Sequence, residues 1–418
     1  MSAAQRRAAP ALLAGAAALA YVLVSPPSVD LAAQLLRTRL FGAEGFGLWN
    51  NWWYAGHNVL AYSVLFPPLA WLLTPQIVAA AALTGSAIVF ERIAHDRFAE
   101  EAALGAVWFA AATATILLSG RLTFALGLLP ALGAVLALER GRTAVAVLLA
   151  AVTALASPVA ALFAALAGAA NALGSRSGSS RARGAAVAAA ALLPLVVLAV
   201  AFPEGGTEPF AFSSLWPIPV LAAVALVALP ARERVLRVGI LLYAFGCLAA
   251  YLIGTPVGGN AARLGPLLAG PLAALVWFRS HPRWVIAAAV PLLYLQWHGA
   301  IDDLATAARD PATKASFYSP LLSFLARQDG PPFRVEIPFT RTHWEAYEVA
   351  SRFPLARGWE RQLDRKDNAL FYDGRLTAHA YEDWLHRVAV RFVAVPDGEL
   401  DYSARQEARL IAGGLPGL

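Results

Sequence analysis

The sequence predicts a polytopic α-helical membrane protein with about eleven transmembrane helices and a small C-terminal α/β domain outside the membrane. Three observations lead there. Hydrophobic residues make up 59% of the 418-residue chain and charged ones only 14%, with a mean hydropathy of +0.58, whereas a soluble globular chain carries about 25% charged residues. The charges are also unevenly spread. Residues 1–298 hold 18 Lys and Arg against 10 Asp and Glu, while residues 299–418 hold 15 against 17. Finally, the apolar residues of the first part gather into runs close to the roughly 20 residues that a spanning helix needs.

Eleven such runs start near Ala9, Pro67, Ala102, Thr123, Thr143, Pro158, Ala185, Trp216, Val238, Leu264 and Trp284. The first follows Arg6 and Arg7, as a cleavable signal peptide would. Ser25-Pro26-Pro27 makes a poor cleavage site, so the run reads as a retained span. Residues 143–173 form one apolar stretch interrupted by Ser157-Pro158, where proline removes a helix-internal hydrogen bond. This is either one kinked helix or two short ones, and charge favours two. With two, and the N-terminus inside, fourteen arginines fall on inner connections and four (Arg37, Arg39, Arg121 and Arg263) on outer ones. That is the bias the positive-inside rule requires. The expected division is a membrane domain over 1–298, with an outer loop and interfacial helix over 28–66, and an outer domain over 299–418. In the latter, FRVEIPF and VAVRFVAVP alternate as strands do, and YSPLLSFLARQ and YEDWLHRVA read as amphipathic helices.

Several function classes drop out. A single cysteine, Cys247, excludes an intramolecular disulfide framework and a cysteine-based metal site. The sequence pI near 9.7 would suit nucleic acid, but the basic residues sit in short loops between apolar runs, and SRSGSSRAR (175–183) reads as a flexible basic anchor. No P-loop, HExxH or GxSxG occurs, which leaves soluble nucleotide-driven chemistry without support.

Four outer features can carry chemistry. Asp30 follows the first span, either as the N-cap of an amphipathic helix or as a general base or metal ligand. That helix carries Leu31, Leu35, Leu36 and Phe41 on one face, with Arg37 and Arg39 toward the headgroup level. GLWNNWWYAGHN (47–58) comes next. Trp49, Trp52, Trp53 and Tyr54 suit an aromatic belt, but Asn50, Asn51, His57 and Asn58 are not needed for one. Aromatic faces beside amides are what a sugar ring or ring-shaped headgroup requires, so Asn50, Asn51, Trp52, Trp53 and Tyr54 are expected to form one wall of a site. His57 is either an acid/base group or a hydrogen-bonded structural histidine. Arg121 in SGRLTF and Arg263 in TPVGGNAARLG sit at helix ends, as phosphate ligands or as snorkelling side chains. Gly258-Gly259-Asn260 is a turn whose backbone N–H groups can approach an anion. Glu204 and Glu208 in PEGGTEPF read as solvated. In the outer domain, Arg357, Trp359, Glu360, Arg361, Asp364 and Asn368 form either a polar pocket or, more plainly, a solvated and salt-bridged helix.

A first span ending in Asp, an outer amphipathic loop, the motif W…GHN…YSVLFPPL, many further spans and an outer α/β tail together resemble the GT-C superfamily of integral membrane glycosyltransferases. The resemblance is closer still to bacterial membrane proteins labelled 6-pyruvoyl-tetrahydropterin-synthase-related, a label that implies no pterin chemistry. Topology carries the resemblance over the whole membrane part, and motifs carry it over residues 30–68. It implies that Asp30 is the acidic residue essential for transfer, that a polyprenyl-phosphate sugar is the donor, and that Arg263 or Arg121 binds the lipid phosphate. The sequence lacks the Asp-x-Asp or Glu-x-Asp pair of metal-dependent members, so a divalent metal is unsupported and no cofactor is expected.

The resulting expectation is a glycosyltransferase on the outer face of the bacterial cytoplasmic membrane, N-terminus inside. It would pass a sugar to an envelope glycan or lipid acceptor, with membrane lipids as its surroundings and no nucleic-acid partner. Asp30 and His57 are the expected catalytic residues, and Asn50, Asn51, Trp52, Trp53, Tyr54, Arg121, Asn260 and Arg263 the expected substrate-binding ones. The competing reading is a non-catalytic transporter or a lipid- or glycan-handling scaffold. Many spans and a proline-broken helix suit it, while the near absence of charge within the spans argues against an ion-coupled pathway.

Overall fold

A computed structural model describes residues 3–60 and 62–415. Helices dominate. The first, α1 (Ala3–Val24), ends at Ser25-Pro26-Pro27, where Ser25 takes φ 42° and the chain turns into α2 (Leu31–Glu44). A two-residue hairpin follows, β1 (Trp49–Asn50) against β2 (His57–Asn58), with Trp49 opposite Asn58 and Asn50 opposite His57. The apolar run near Pro67 then divides. Thr74, at φ 77°, separates α3 (Phe66–Leu73) from α4 (Pro75–Phe98), and its hydroxyl accepts from Ile77 N at the start of the long helix. Ala99, at φ 50°, reverses the chain again, so that α5 (Ala102–Leu118) packs back along α4.

Next come α6 (Leu122–Glu139), α7 (Thr143–Ala156), α8 (Pro158–Gly174) and α9 (Gly178–Ala201). Ser157 sits in extended backbone and caps α8 through its hydroxyl, which accepts from Ala160 N at 3.4 Å. The broken run is therefore two helices. After α9 a loop leads to α10 (Phe212–Leu215), α11 (Pro217–Ala228), α12 (Arg234–Leu252), a 3-10 turn at Gly258–Arg263, α13 (Leu264–Trp277) and α14 (Pro282–Arg309).

Among the described residues six stretches are long and apolar enough to cross a membrane: Gln5–Val24, Pro75–Leu118, Leu122–Glu139, Gly178–Ala201, Arg234–Leu252 and Pro282–Arg309. The expected count of eleven is not reached by such stretches. Helices α7, α8 and α13 have 14, 17 and 14 residues, or about 21–26 Å at 1.5 Å per residue, against a hydrocarbon core of about 30 Å. The charged connections nevertheless sort by end. Arg6 pairs with Glu100 (3.6 Å), Arg7 with Glu91 (3.3 Å), Arg97 with Glu139 (3.8 Å) and Arg140 with Asp96 (2.8 Å), and Arg279 pairs with Glu101. Lateral faces of the bundle are apolar and exposed, as at Leu12, Leu193, Val200, Phe245, Trp284 and Val290. Such a surface suits lipid rather than water.

The C-terminal segment is smaller and mixed. It contains α15 (Ala315–Leu325), β3 (Arg334–Glu336), α16 (Glu345–Glu348), α17 (Arg361–Asp367), α18 (Ala378–Arg387), β4 (Val390–Val393) and α19 (Arg405–Ala412). Strands β3 and β4 run parallel, pairing Val335 with Phe392 and Glu336 with Val393. The boundary expected at residues 298/299 falls inside α14, which continues to Arg309 without a break. The outer loop also does not simply lie beside this segment. Ala33 and Leu36 of α2, with Trp53 and Tyr54 of the loop, share one core with Tyr318, Leu325, Val335, Ile337, Val349 and Leu363. Trp344 reaches the other way, into the core of the bundle.

Arg37 corrects the interfacial reading of α2. Its guanidinium is buried, 3.7 Å above the Tyr62 ring, and forms an ion pair with the equally buried Glu360. Leu31 and Leu36 are covered by protein as well, so the apolar face of α2 meets the C-terminal segment and the bundle rather than headgroups. Removing one member of a buried pair strands the other charge, at a cost of about 3–5 kcal/mol. Arg37→Met should therefore destabilise the purified protein strongly in denaturant unfolding, and Arg37→Met with Glu360→Leu should recover most of the loss. A double variant no more stable than the single one would overturn this reading of the contact.

Candidate functional site

Asp30 is held in place from the C-terminal segment. Trp344 Nε1 donates to Ser28 O (3.1 Å) and Trp359 Nε1 donates to Val29 O (3.0 Å), fixing the two residues before Asp30. Asp30 occupies the capping position of α2, yet its side chain makes no cap hydrogen bond. The N-cap reading fails for that reason. Its Oδ2 lies instead 3.9 Å from Arg121 Nε. Gly120 permits this approach, because at φ 70° a Cβ there would come within 2.3 Å of Ser28 Oγ and 2.9 Å of Leu31 N. Arg121 Nη2 lies 4.0 Å from Asp303 Oδ2, which α14 supplies. Both separations exceed hydrogen-bonding distance, and Arg121 Nε is buried with no hydrogen-bond partner. Asp30, Asp303 and Arg121 retain 23%, 32% and 37% of their side-chain exposure, so a ligand can reach the cluster.

Arg263 ends the 3-10 turn just before α13, where the charges of Arg121 and Asp30 act on it. Burial, and then the neighbouring Arg121, push its guanidinium down to about 10, with Asp30, Tyr62 and Glu208 opposing. Its guanidinium rests 5.9 Å from the Phe124 ring and forms neither a hydrogen bond nor an ion pair with any described residue. Glu208 completes the set from the loop between α9 and α10. Burial pushes its carboxyl up to about 7; Arg361, Arg263 and Arg365 act against the shift and Asp30 adds to it. The loop is clamped in place: Glu208 N donates to Thr255 O (3.0 Å) and Gly259 N to Pro209 O (3.1 Å). Gly258, at φ 44°, is required there, since a Cβ would meet Glu208 O at 2.1 Å.

The expected wall at 47–58 is built otherwise. Trp53 is fully buried and donates through Nε1 to Ala346 O (3.1 Å), and the Tyr54 hydroxyl donates to Glu360 O (2.9 Å). Both residues bolt the loop to the C-terminal segment, so neither stacking on a sugar nor a place in an aromatic belt is open to them. Trp52 is half-buried; its backbone N–H donates to Asn50 Oδ1 (2.7 Å), and its indole donates to Glu44 (3.3 Å). Asn51 is exposed and accepts from Trp49 Nε1 (3.0 Å). Asn50 is buried, with its Nδ2 3.1 Å from His57 Nε2. His57 Nδ1 lies 2.9 Å from Asn58 O, and the ring stacks on Trp53 at 5.9 Å between centroids. Both ring nitrogens are engaged and burial lowers its proton affinity, the setting of a hydrogen-bonded structural histidine. The anion cradle expected at Gly258-Gly259-Asn260 is also occupied. Gly258 N donates to Thr255 Oγ1 (3.3 Å), Gly259 N to Pro209 O, and Asn260 N to Val257 O (2.9 Å).

The polar residues of the C-terminal segment form neither a pocket nor a solvated helix. Arg357 is buried, forked onto Asp364 (3.1 and 2.6 Å), bonded to Glu407 (3.1 Å), and flanked at 3.9 Å by the Phe339 and Phe371 rings. Arg361 forks onto Asp401 (2.9 and 2.8 Å), and Asn368 Oδ1 accepts from Trp384 Nε1 (2.8 Å). These groups satisfy one another, which is how buried charge is tolerated.

Of the expected site residues, Asp30 and Arg121 stand 3.9 Å apart, with Arg263 near enough to sense both charges, while Trp52, Trp53 and Tyr54 dock the loop on the C-terminal segment and Asn50, Asn51 and His57 bond within the loop. Asp303 and Glu208 were missed. Their signal was positional only: Glu208 lies on the loop between α9 and α10, and Asp303 in the last two turns of α14. Among the described residues no group of three or more His, Cys, Asp or Glu side chains is arranged to hold a metal ion. Comparison with known protein families and with curated proteins finds no match, so the chemistry rests on the site itself.

Glu208 gives a pH signature. The folded chain holds its proton more tightly than the unfolded one, where the carboxyl titrates near 4.5. The stabilisation is therefore fully present below about pH 4.5 and is lost as the pH rises through about 7. Glu208→Gln stays neutral at every pH. Its unfolding midpoint, relative to the native protein's, should rise between pH 4.5 and 7. A difference that stays flat over this range would overturn the assignment.

Proposed function

We propose that this chain is a GT-C-type membrane glycosyltransferase, moving a sugar from a polyprenyl-phosphate donor to a cell-envelope acceptor. The reading includes eleven crossings, a cytoplasmic N-terminus, and the Asp30 cluster on the outer face of the cytoplasmic membrane. Pairing the short helices α7 and α8 as two crossings keeps the fourteen inner arginines on one side.

The observation that carries the proposal is the pair of incompletely partnered arginines, Arg121 and Arg263, beside a carboxylate that makes no hydrogen bond. A guanidinium held without a full partner at a partly buried position favours an incoming anion, and its fork matches phosphate. In the reaction, the acceptor hydroxyl oxygen attacks the anomeric carbon and forms the new glycosidic bond. Asp30 takes the hydroxyl proton. The bond from the anomeric carbon to the phosphate oxygen breaks, its electron pair leaving on the polyprenyl phosphate, where Arg121 and Arg263 face the growing charge. General-base assistance of this kind contributes about 10²–10⁴-fold, and preorganised cations at the leaving group act on the transition state more than on the bound donor. Asp303, 4.0 Å from Arg121 Nη2, adds a second negative charge beside the guanidinium.

The test uses cells that lack the chromosomal copy, complemented with native protein or with Asp30→Asn, and compares envelope glycan composition by mass spectrometry. Asp30→Asn should behave as the empty vector although the protein is present and folded at native levels. Native glycan composition with Asp30→Asn would remove the transfer reaction as proposed.

A further inference from the structure

Arg39 lies two residues beyond Arg37, and so on the opposite side of α2. There it lines a second hollow, of about 220 Å³, between α2, α15 and the segment following α16. The other polar lining residues are Ser319 and Ser323, one turn apart on α15, with Tyr347, Glu348, Ser351 and Arg352. None of these residues belongs to the Asp30 cluster.

The hollow has more donors than the protein uses. Arg39 and Arg352 are exposed, and neither guanidinium forms a hydrogen bond or an ion pair with a described residue. Ser351 Oγ is buried and has no hydrogen-bond partner, a costly arrangement for a polar atom unless something else supplies one. The Ser323 hydroxyl also lacks a protein partner. Ser319 donates back to Ala315 O (3.3 Å), leaving its lone pairs to accept. Glu348 is the one carboxylate in the lining, so two cations outnumber one anion. Burial pushes its carboxyl up against the pull of Arg352. The space is smaller than the roughly 300–1,000 Å³ of a drug-sized pocket and suits a compact oxyanion.

We propose that this hollow is a second, separate binding site for a phosphate group, held by the Arg39 and Arg352 guanidiniums and by the Ser323 and Ser351 hydroxyls. Two planar forks and two hydroxyl donors arriving from three elements match the several oxygens of a phosphate, where a planar carboxylate would engage fewer of them. The site does not depend on the transfer reaction at Asp30. The same chemistry is offered by an anionic lipid headgroup and by free phosphate.

Two arms of one experiment distinguish these sources. The full chain is placed in phosphatidylcholine nanodiscs and titrated with inorganic phosphate by calorimetry. In parallel, the lipid retained from nanodiscs containing phosphatidylglycerol is counted by native mass spectrometry. Native protein should bind saturably in at least one arm: retained phosphatidylglycerol assigns a headgroup, and saturable phosphate binding in phosphatidylcholine alone assigns the free anion. Arg39→Gln with Arg352→Gln should weaken that binding by about tenfold or more, as loss of a charge-assisted hydrogen bond does. Ser351→Ala should weaken it by a smaller factor without lowering the melting temperature, and it decides the matter if the arginine variant does not fold. Binding in neither arm, or binding unchanged by these variants, overturns the proposal.

Discussion

The ion pair between Arg37 and Glu360 joins parts of the chain more than 300 residues apart, and much of the architecture follows from it. Both charges are buried, and such a pair is stable only where its geometry is fixed and its surroundings are packed. Here the packing comes from Trp53 and Tyr54, which share a core with the C-terminal segment, and from the Tyr62 ring over Arg37. The result is that α2 is clamped between the bundle and the C-terminal segment. Trp344 and Trp359 then grip the backbone at Ser28 and Val29, and the direction of Asp30 is set by residues far along the chain.

The candidate site differs in kind from the polar network a short distance away. Around Arg357 every cation has close carboxylate partners, at 2.6–3.1 Å to Asp364 and Glu407. Around Arg121 the nearest carboxylate oxygens stand at 3.9 and 4.0 Å, and Arg263 has none within ion-pairing distance. The first arrangement stabilises a fold; the second leaves electrostatic interaction available to a ligand. A Glu208 carboxyl raised to about 7 beside it reflects the same partly desolvated surroundings. The hollow at Arg39 shows a milder version of the same contrast.

Much of the secondary structure was legible because it depends on local pattern. Ser157-Pro158 marked a helix break, and Ser157 both ends α7 and caps α8. Alternation at 333–339 and 388–396 marked the segments that supply β3 and β4. The Pro67 run misled because Pro67 and Pro68 fit the first turn of a short helix, while the reversal lies at Thr74, whose positive φ no composition rule signals. GLWNNWWYAGHN misled for a related reason. Large amphipathic side chains suit a membrane interface, a sugar site and a domain contact equally well, and only the partners distinguish them. Trp53 finds Ala346 and Tyr54 finds Glu360, both nearly 300 residues or more away in sequence.

The sequence by itself determined the membrane-embedded helical class, the sorting of charge to the helix connections, and the interest of Asp30, Arg121 and Arg263. Each follows from composition or from spacing along the chain, which local physics reads directly. Only the tertiary structure decided that Asp30 and Asp303 each come within 4.0 Å of Arg121, that Arg263 and Glu208 sense the Asp30 charge, and that His57 bonds within its own loop. The physical reason is that partnership is a matter of distance between segments remote in sequence. An aspartate before a helix is a cap or a ligand according to what stands opposite it, and here an arginine from another helix end does.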